Sequence, residues 1–164
     1  MNTSISRRIL AFDVRARRFG FAVFERPAEL LDWGVKSFRL GVNAVKIPAW
    51  QKVAALLSEF RPSIVVIRES PARESAWLAG MIMTLAKERN VAVRMVSASA
   101  LQKRFPGHGA NKHGIAVALS VRFPELADRV PPRRKPWQSE DYRMSIFDAA
   151  ALGFGYIGCE NTLD

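Results

Sequence analysis

Two acids stand out by their surroundings. Asp13 ends the apolar run Ile9-Leu10-Ala11-Phe12-Asp13, and Asp148 interrupts Ile146-Phe147-Asp148-Ala149-Ala150. The first closes a strand, which can hold its backbone rigid while the carboxylate reaches a metal. The second lies inside an otherwise apolar helix. A lone ionised carboxylate is costly to bury, so each needs a metal, a partner or a raised pKa. Two such acids in a strongly basic chain point to a metal-dependent enzyme acting on nucleic acid.

The charge supports a polyanionic partner. The chain carries 25 Lys+Arg against 15 Asp+Glu, a formal net charge of +10. That balance concerns partners rather than fold, and a solvated basic surface is the plain alternative. At 164 residues and 49% hydrophobic, residues 1–164 are expected to form one domain with a sizeable core. A single cysteine, Cys159, excludes an intramolecular disulfide and a cysteine-rich zinc site. It suits a reducing compartment, and neither a secretory leader nor a membrane span is expected. A cytoplasmic location is the corresponding expectation.

The elements that must position the acids follow from periodicity. Strands are expected over 8–14, 20–25 and 30–38, as a three-strand meander, with the turn at Arg26-Pro27-Ala28-Glu29. Trp50, Val53, Ala54, Leu57 and Phe60 recur at helical spacing. A strand over 63–69, apolar throughout Ile64-Val65-Val66-Ile67, should be interior and parallel. A helix carrying Trp77, Leu78, Met81, Ile82 and Leu85 precedes a fifth strand over 91–96. Helices are expected over 101–105, 112–123 and 143–157. Residues 124–141, centred on Pro131-Pro132-Arg133-Arg134-Lys135-Pro136-Trp137, read as a basic loop in which prolines prevent a regular helix. The order βββαβαβ implies right-handed parallel crossovers beside an antiparallel edge. The fold class is therefore α/β.

This order, with its two acids, resembles the ribonuclease H-like fold, and within it the RuvC-type Holliday-junction resolvases. That family opens with a strand and an Asp, then a basic residue, a Gly and a small residue at fixed spacings, matched here by Asp13, Arg17, Gly20 and Ala22. Its usual Pro-Gly after the Asp is Val14-Arg15 here. The resemblance implies a mixed five-stranded sheet, an antiparallel meander plus parallel strands, flanked by helices. The family acid at the end of the fourth strand falls on Arg68, with Glu69 one position late. A one-residue shift reverses the side-chain direction in a regular strand, although a bulge or the strand end can re-aim it. The closing helix of the family bears two acids three residues apart. Asp148 matches the second, and Ser145 replaces the first. Asp141 lies two helical turns before Asp148, on the same face if the helix starts early enough, so it is the candidate for the missing carboxylate.

The implied chemistry is phosphodiester hydrolysis in branched double-stranded DNA. Such hydrolysis needs an activated water and a stabilised leaving oxyanion, which two magnesium ions about 4 Å apart can supply. Magnesium, or manganese in its place, prefers carboxylate oxygens. The candidate metal and catalytic set is Asp13, Glu69, Asp148 and Asp141. Candidate DNA contacts are Arg15, Arg17 and Arg18 beside the site, and Lys103, Arg104 and Lys112 in the basic stretch that the family uses near the scissile strand. Arg133, Arg134 and Lys135 add a loop cluster. Such contacts position DNA without reading its sequence. Symmetric nicking implies a homodimer, for which the region of Trp77, Leu78, Met81 and Ile82 is a candidate interface; core packing explains the same residues.

Plain structural roles compete with each assignment. Asp13 can cap a turn, Glu69 can pair with Arg73, and Asp148 can pair with Arg143 or Arg18. Asp141 can be an exposed loop acid. His108 and His113 are read as polar surface residues. Trp137 either stacks on DNA or docks on the body. The rival functions are a catalytically inactive RuvC-like nucleic-acid-binding protein, for which Arg68 and Ser145 speak, and an actin-like phosphotransferase. The second needs phosphate loops and a duplicated domain that the chain is too short to hold.

Overall fold

The computed structural model describes residues 7–38, 46–69, 71–107 and 111–160. Five strands form one sheet: β1 (Arg8–Val14), β2 (Arg18–Glu25), β3 (Glu29–Ser37), β4 (Ile64–Arg68) and β5 (Ala92–Val96). Their spatial order is β3-β2-β1-β4-β5. The β1–β2 and β2–β3 pairs are antiparallel, while β1–β4 and β4–β5 are parallel. Among the described residues the α-helices are α1 (Lys46–Phe60), α2 (Ala76–Glu88), α3 (Ala98–Arg104), α4 (Lys112–Arg122) and α5 (Met144–Glu160). No helix of the described residues is long and apolar enough to cross a membrane.

Alternation along the central strands divides two cores. Leu10 and Phe12 of β1, with Val65 and Ile67 of β4, pack against Val53 and Leu57 of α1 and Leu78, Ile82 and Leu85 of α2. Ile9 and Ala11, with Ile64 and Val66, pack against α4 and α5 through Ala116, Leu119, Phe147 and Ala150. Side chains alternate between the faces with period two. Asp13 therefore continues the Ile9–Ala11 row and points to the α5 side. On β4, Arg68 continues the Ile64–Val66 row to that same side, and the parity turns Glu69 away from it.

The meander is as expected, with β2 starting two residues early because Arg18 pairs with Ser37. The segment 124–141 departs from a continuous loop. Pro124–Arg129 forms a 3-10 helix that buries Leu126. Its proline stands at the start of the helix, where a missing N–H costs nothing. The expected short helix at 101–105 starts earlier, at Ala98, because the Ser97 hydroxyl caps it by accepting from the Ala100 N–H at 3.1 Å. Leu78 and Ile82 are fully buried within the chain's own core, and Trp77 and Met81 pack at its margin. Two of the four residues of the candidate dimer contact are thus enclosed within the chain's own core.

Small residues let α5 lie close on the sheet. A Cβ on Gly20 would sit 2.1 Å from the Ser145 carbonyl oxygen, and one on Gly153 would sit 2.5 Å from the Phe24 ring and 3.3 Å from the Ala11 methyl. Gly20 is paired with Asp13 across the β1–β2 ladder. The close approach therefore sets the start of α5, and with it Asp148, beside the end of β1.

Candidate active site

Asp13, Glu140 and Asp148 converge around two cations. Arg15 Nε donates to Asp13 Oδ2 at 3.0 Å, while its Nη2 donates to Asp148 Oδ2 at 2.8 Å and Glu140 Oε1 at 3.3 Å. Lys112 Nζ donates to Glu140 Oε2 at 3.1 Å and Asp148 Oδ2 at 3.2 Å. Arg15 reaches all three because its planar guanidinium presents several donors in a fixed fork. It enters from the turn after β1, where Arg15 N–H donates to the Arg18 carbonyl at 2.9 Å. Lys112 enters from the first turn of α4, whose cap is Asn111. A cation there opposes the helix dipole, so the contacts with Glu140 and Asp148 account for its placement better than helix stability does.

The electrostatics are those of crowded carboxylates. Asp13 is 6% exposed. Burial, and then the charge of Asp148, push its pKa up from 3.8 to about 6, with Arg15 and Lys112 offsetting part of the rise. Burial disfavours the charge of Arg15, yet Asp13, Asp148 and Glu140 outweigh it and raise the guanidinium pKa. Removing one member of such a partly buried network leaves its partners unpaired. Arg15→Gln is accordingly expected to lower stability at pH 7.5 by roughly 1–3 kcal/mol. Arg15→Lys should recover less than half of that, since a compact ammonium lacks the planar fork that spreads its donors over three separate carboxylates. Denaturant unfolding checks both; an Arg15→Gln protein as stable as the parent would contradict the network.

The other candidates fall into separate settings. Arg68, not Glu69, lines a cleft of about 140 Å³ with Asp13, Gln102, Lys112 and Asp148. Glu69 is exposed, and its backbone N–H donates to the Val96 carbonyl. Asp141 precedes α5 and turns to Arg143, whose Nη2 and backbone N–H lie 2.8 and 2.9 Å from its carboxylate. That bonding, its Arg143 side-chain component foremost, holds the Asp141 pKa below the usual range. The two-turn relation to Asp148 does not apply, because α5 starts only at Met144. Ser145 is fully buried at the contact with Gly20.

Glu140, which helical phase from Asp148 does not align, completes the group. It lies in irregular chain just before α5, where no period assigns a direction; the cluster Gln138, Glu140 and Asp141 is its sequence signal.

The basic candidates are likewise divided. Arg17, Lys103, Arg133, Arg134 and Lys135 are exposed. Arg104 lays its guanidinium 4.4 Å from the centre of the Phe154 ring, so part of its role is packing. Arg18 is half-buried at the start of β2. His113 lies in the first turn of α4, and His108 falls outside the described residues. Trp137 is 78% exposed, with Lys135 Nζ 5.5 Å from its ring centre; it does not dock on the body.

The donor set can be tested against a metal. Among the described residues, no three acidic, histidine or cysteine side chains form a ready-made metal cage. Magnesium, however, is commonly held by one or two carboxylates together with water and substrate phosphate. Asp13 and Asp148 fit that requirement: hard oxygens on rigid elements, where burial first and the charge of Asp148 second raise the Asp13 pKa.

No protein-family model and no curated protein sequence matches the chain. Solved structures do. The RuvC of Thermus thermophilus in complex with a Holliday junction substrate is 17% identical, with a TM-score of 0.68 over 94% of this chain and 96% of that one. The yeast mitochondrial Holliday junction resolvase Ydc2 is 12% identical, with a TM-score of 0.67 over 97% and 82%. The Fowlpox virus resolvase, in complex with Holliday junction DNA, is 13% identical, with a TM-score of 0.64 over 92% and 99%. The chain thus has the ribonuclease H-like fold in the form found in RuvC and other Holliday-junction resolvases.

Proposed function

We propose that this protein is a metal-dependent endonuclease that nicks branched DNA, most like a Holliday-junction resolvase. The observation that carries the reading is the convergence of Asp13, from the end of β1, with Asp148, from α5, beside Arg15 and Lys112. The resolvases named above share this fold, and their substrates supply the class of DNA. A protein that only bound DNA would gain nothing from crowding three carboxylates where phosphates must approach. The crowding therefore favours catalysis over the inactive alternative.

Asp13 and Asp148 would hold a divalent magnesium or manganese ion. When bound, the ion supplies an activated water and charge neutralisation at the leaving oxygen. Arg15 and Lys112 do the electrostatic work of the chain itself. Both can exchange carboxylate partners for the oxygens of the scissile phosphate, where positive charge stabilises the developing negative charge. Arg68, on the cleft wall, can position the same phosphate. Glu140 orients Arg15 and Lys112 through one contact to each. In this reading Asp141 and Glu69 stay outside the reacting group.

This division gives a contrast between adjacent acids. Glu140→Gln is expected to slow single-turnover nicking by about 10–100-fold, and Asp141→Asn by less than about threefold. Equal losses, or the reverse order, would contradict the assignment. Paired nicks across a junction further require two copies, so the active species should be a homodimer by sedimentation.

The substrate is tested with a labelled four-way junction, a flap and a matched linear duplex, each with and without magnesium or manganese. Metal-dependent nicks at opposed positions of the junction, with the duplex left intact, are expected. Tight, salt-sensitive binding without nicking under any of these conditions would instead identify a non-catalytic DNA-binding protein.

A further inference from the structure

A second cleft of about 600 Å³ adjoins the acidic one, with Lys112 in the wall of both. Its floor includes Pro131 and Met144, both buried. Its rim carries Arg133 and Arg134, which are exposed and have no ion-pair partner among the described residues. The acids in its wall have partners of their own: Glu140 contacts Arg15 and Lys112, which Asp13 and Asp148 share, and Asp141 contacts Arg143. The two rim arginines are therefore the charges the cleft offers to an incoming anion, above the apolar side chains of its floor.

Its volume is that of a small-molecule site, and its wall is held open. Leu126 anchors the preceding segment in the core. The Lys135–Gln138 turn closes on itself through Gln138 N–H to the Lys135 carbonyl at 3.0 Å and Lys135 N–H to the Gln138 side chain at 3.1 Å.

We infer that this cleft receives one unstacked nucleotide of the cleaved strand, next to the scissile phosphate. The inference rests on the nuclease reading above and names a contact that the reading does not require. A base has an apolar face and a phosphate is anionic, so a nucleotide matches floor and rim at once. Duplex DNA offers the rim only phosphates and leaves the floor bare. Unpaired or weakly stacked nucleotides at a branch point can enter at little unstacking cost. The cleft would thus add a preference for branched over linear DNA at the level of a single nucleotide.

The test uses the full-length protein and four-way junctions with 2-aminopurine at single positions within three nucleotides of the nicked bond. Fluorescence is read on binding without divalent ion, and nicking is read after magnesium is added. One position should brighten several-fold with the parent protein. The Arg133→Ala/Arg134→Ala double variant should lose most of that rise when both proteins are read at concentrations that saturate the junction, fixed by a parallel titration of bound junction. Nicking without brightening at any position, or brightening that persists in the double variant, would overturn the inference and leave the nuclease reading standing. Absence of nicking in every metal would overturn that reading and the inference with it.

Discussion

Asp13→Asn is expected to abolish nicking and, at neutral pH, to make the protein more stable. The first effect follows from losing a carboxylate at the centre of the proposed chemistry, and a fall of at least about 10³-fold is anticipated. The second follows from linkage. The Asp13 pKa is near 3.8 as an ordinary group and about 6 in the fold, through burial first and Asp148 second. The folded state thus binds this proton more tightly than the unfolded chain does. Ionised Asp13 costs stability above pH 6. That cost shrinks as the pH falls from 6 towards 4, and below both values it is gone.

Asparagine imitates the protonated form. A shift of this size corresponds to a gain of roughly 1–3 kcal/mol in Asp13→Asn, complete above about pH 7, small by about pH 4 and absent only well below the ordinary value of 3.8. Urea unfolding at pH 8 and pH 4 measures it directly, with magnesium excluded. A variant that is destabilised at pH 8 would show that Arg15 more than compensates the buried charge.

Gly20→Ala is expected to be the most damaging small substitution in the sheet. The added carbon would lie 2.1 Å from the Ser145 carbonyl oxygen, 2.4 Å from its carbon and 2.8 Å from its Cβ. Backbone, not the end of a flexible side chain, blocks it, so α5 must move off β2. A loss above about 3 kcal/mol is anticipated, or failure to fold. Asp148 follows Ser145 by almost one turn, so nicking should suffer in any fraction that does fold. Gly80→Ala is the control. Nothing lies within 4 Å of its added carbon, and within α2 alanine should stabilise by up to about 1 kcal/mol. Thermal unfolding separates the two; a Gly20→Ala protein melting within about 2 °C of the parent would contradict the close packing.

Residues that build regular elements were legible in the sequence because their periods are strong. The alternation of Ile9 and Ala11 with Leu10 and Phe12 could not by itself choose a face, since both sets are apolar. Small residues at Ala11, Gly20 and Ala22 nonetheless marked the side on which a helix could approach. The β4 strand was harder. Ile64 to Ile67 are buried on both faces, so nothing in their pattern decides whether Arg68 or Glu69 faces α5. Pairing with β1 decides it, through Phe12 opposite Ile67.

The acids near α5 show a different limit. Helical phase carried back from Asp148 reaches Asp141, but the helix begins at Met144 and the preceding backbone turns. Short-range hydrogen bonds claim Asp141 for Arg143, and the irregular chain delivers Glu140 to Lys112 instead. Arg15 was expected at DNA. In the free protein it is held by three carboxylates, a contact that depends on elements more than a hundred residues apart in sequence.

Single-turnover nicking of a labelled four-way junction in magnesium, by the parent protein, Asp13→Asn, Asp148→Asn and the double variant, tests most directly whether these two carboxylates form one reaction centre. Groups that act as a unit are not additive. Each single variant should lose at least about 10³-fold, and the double variant should be no more than a few-fold slower than either. Nicking by Asp148→Asn within tenfold of the parent would contradict the account.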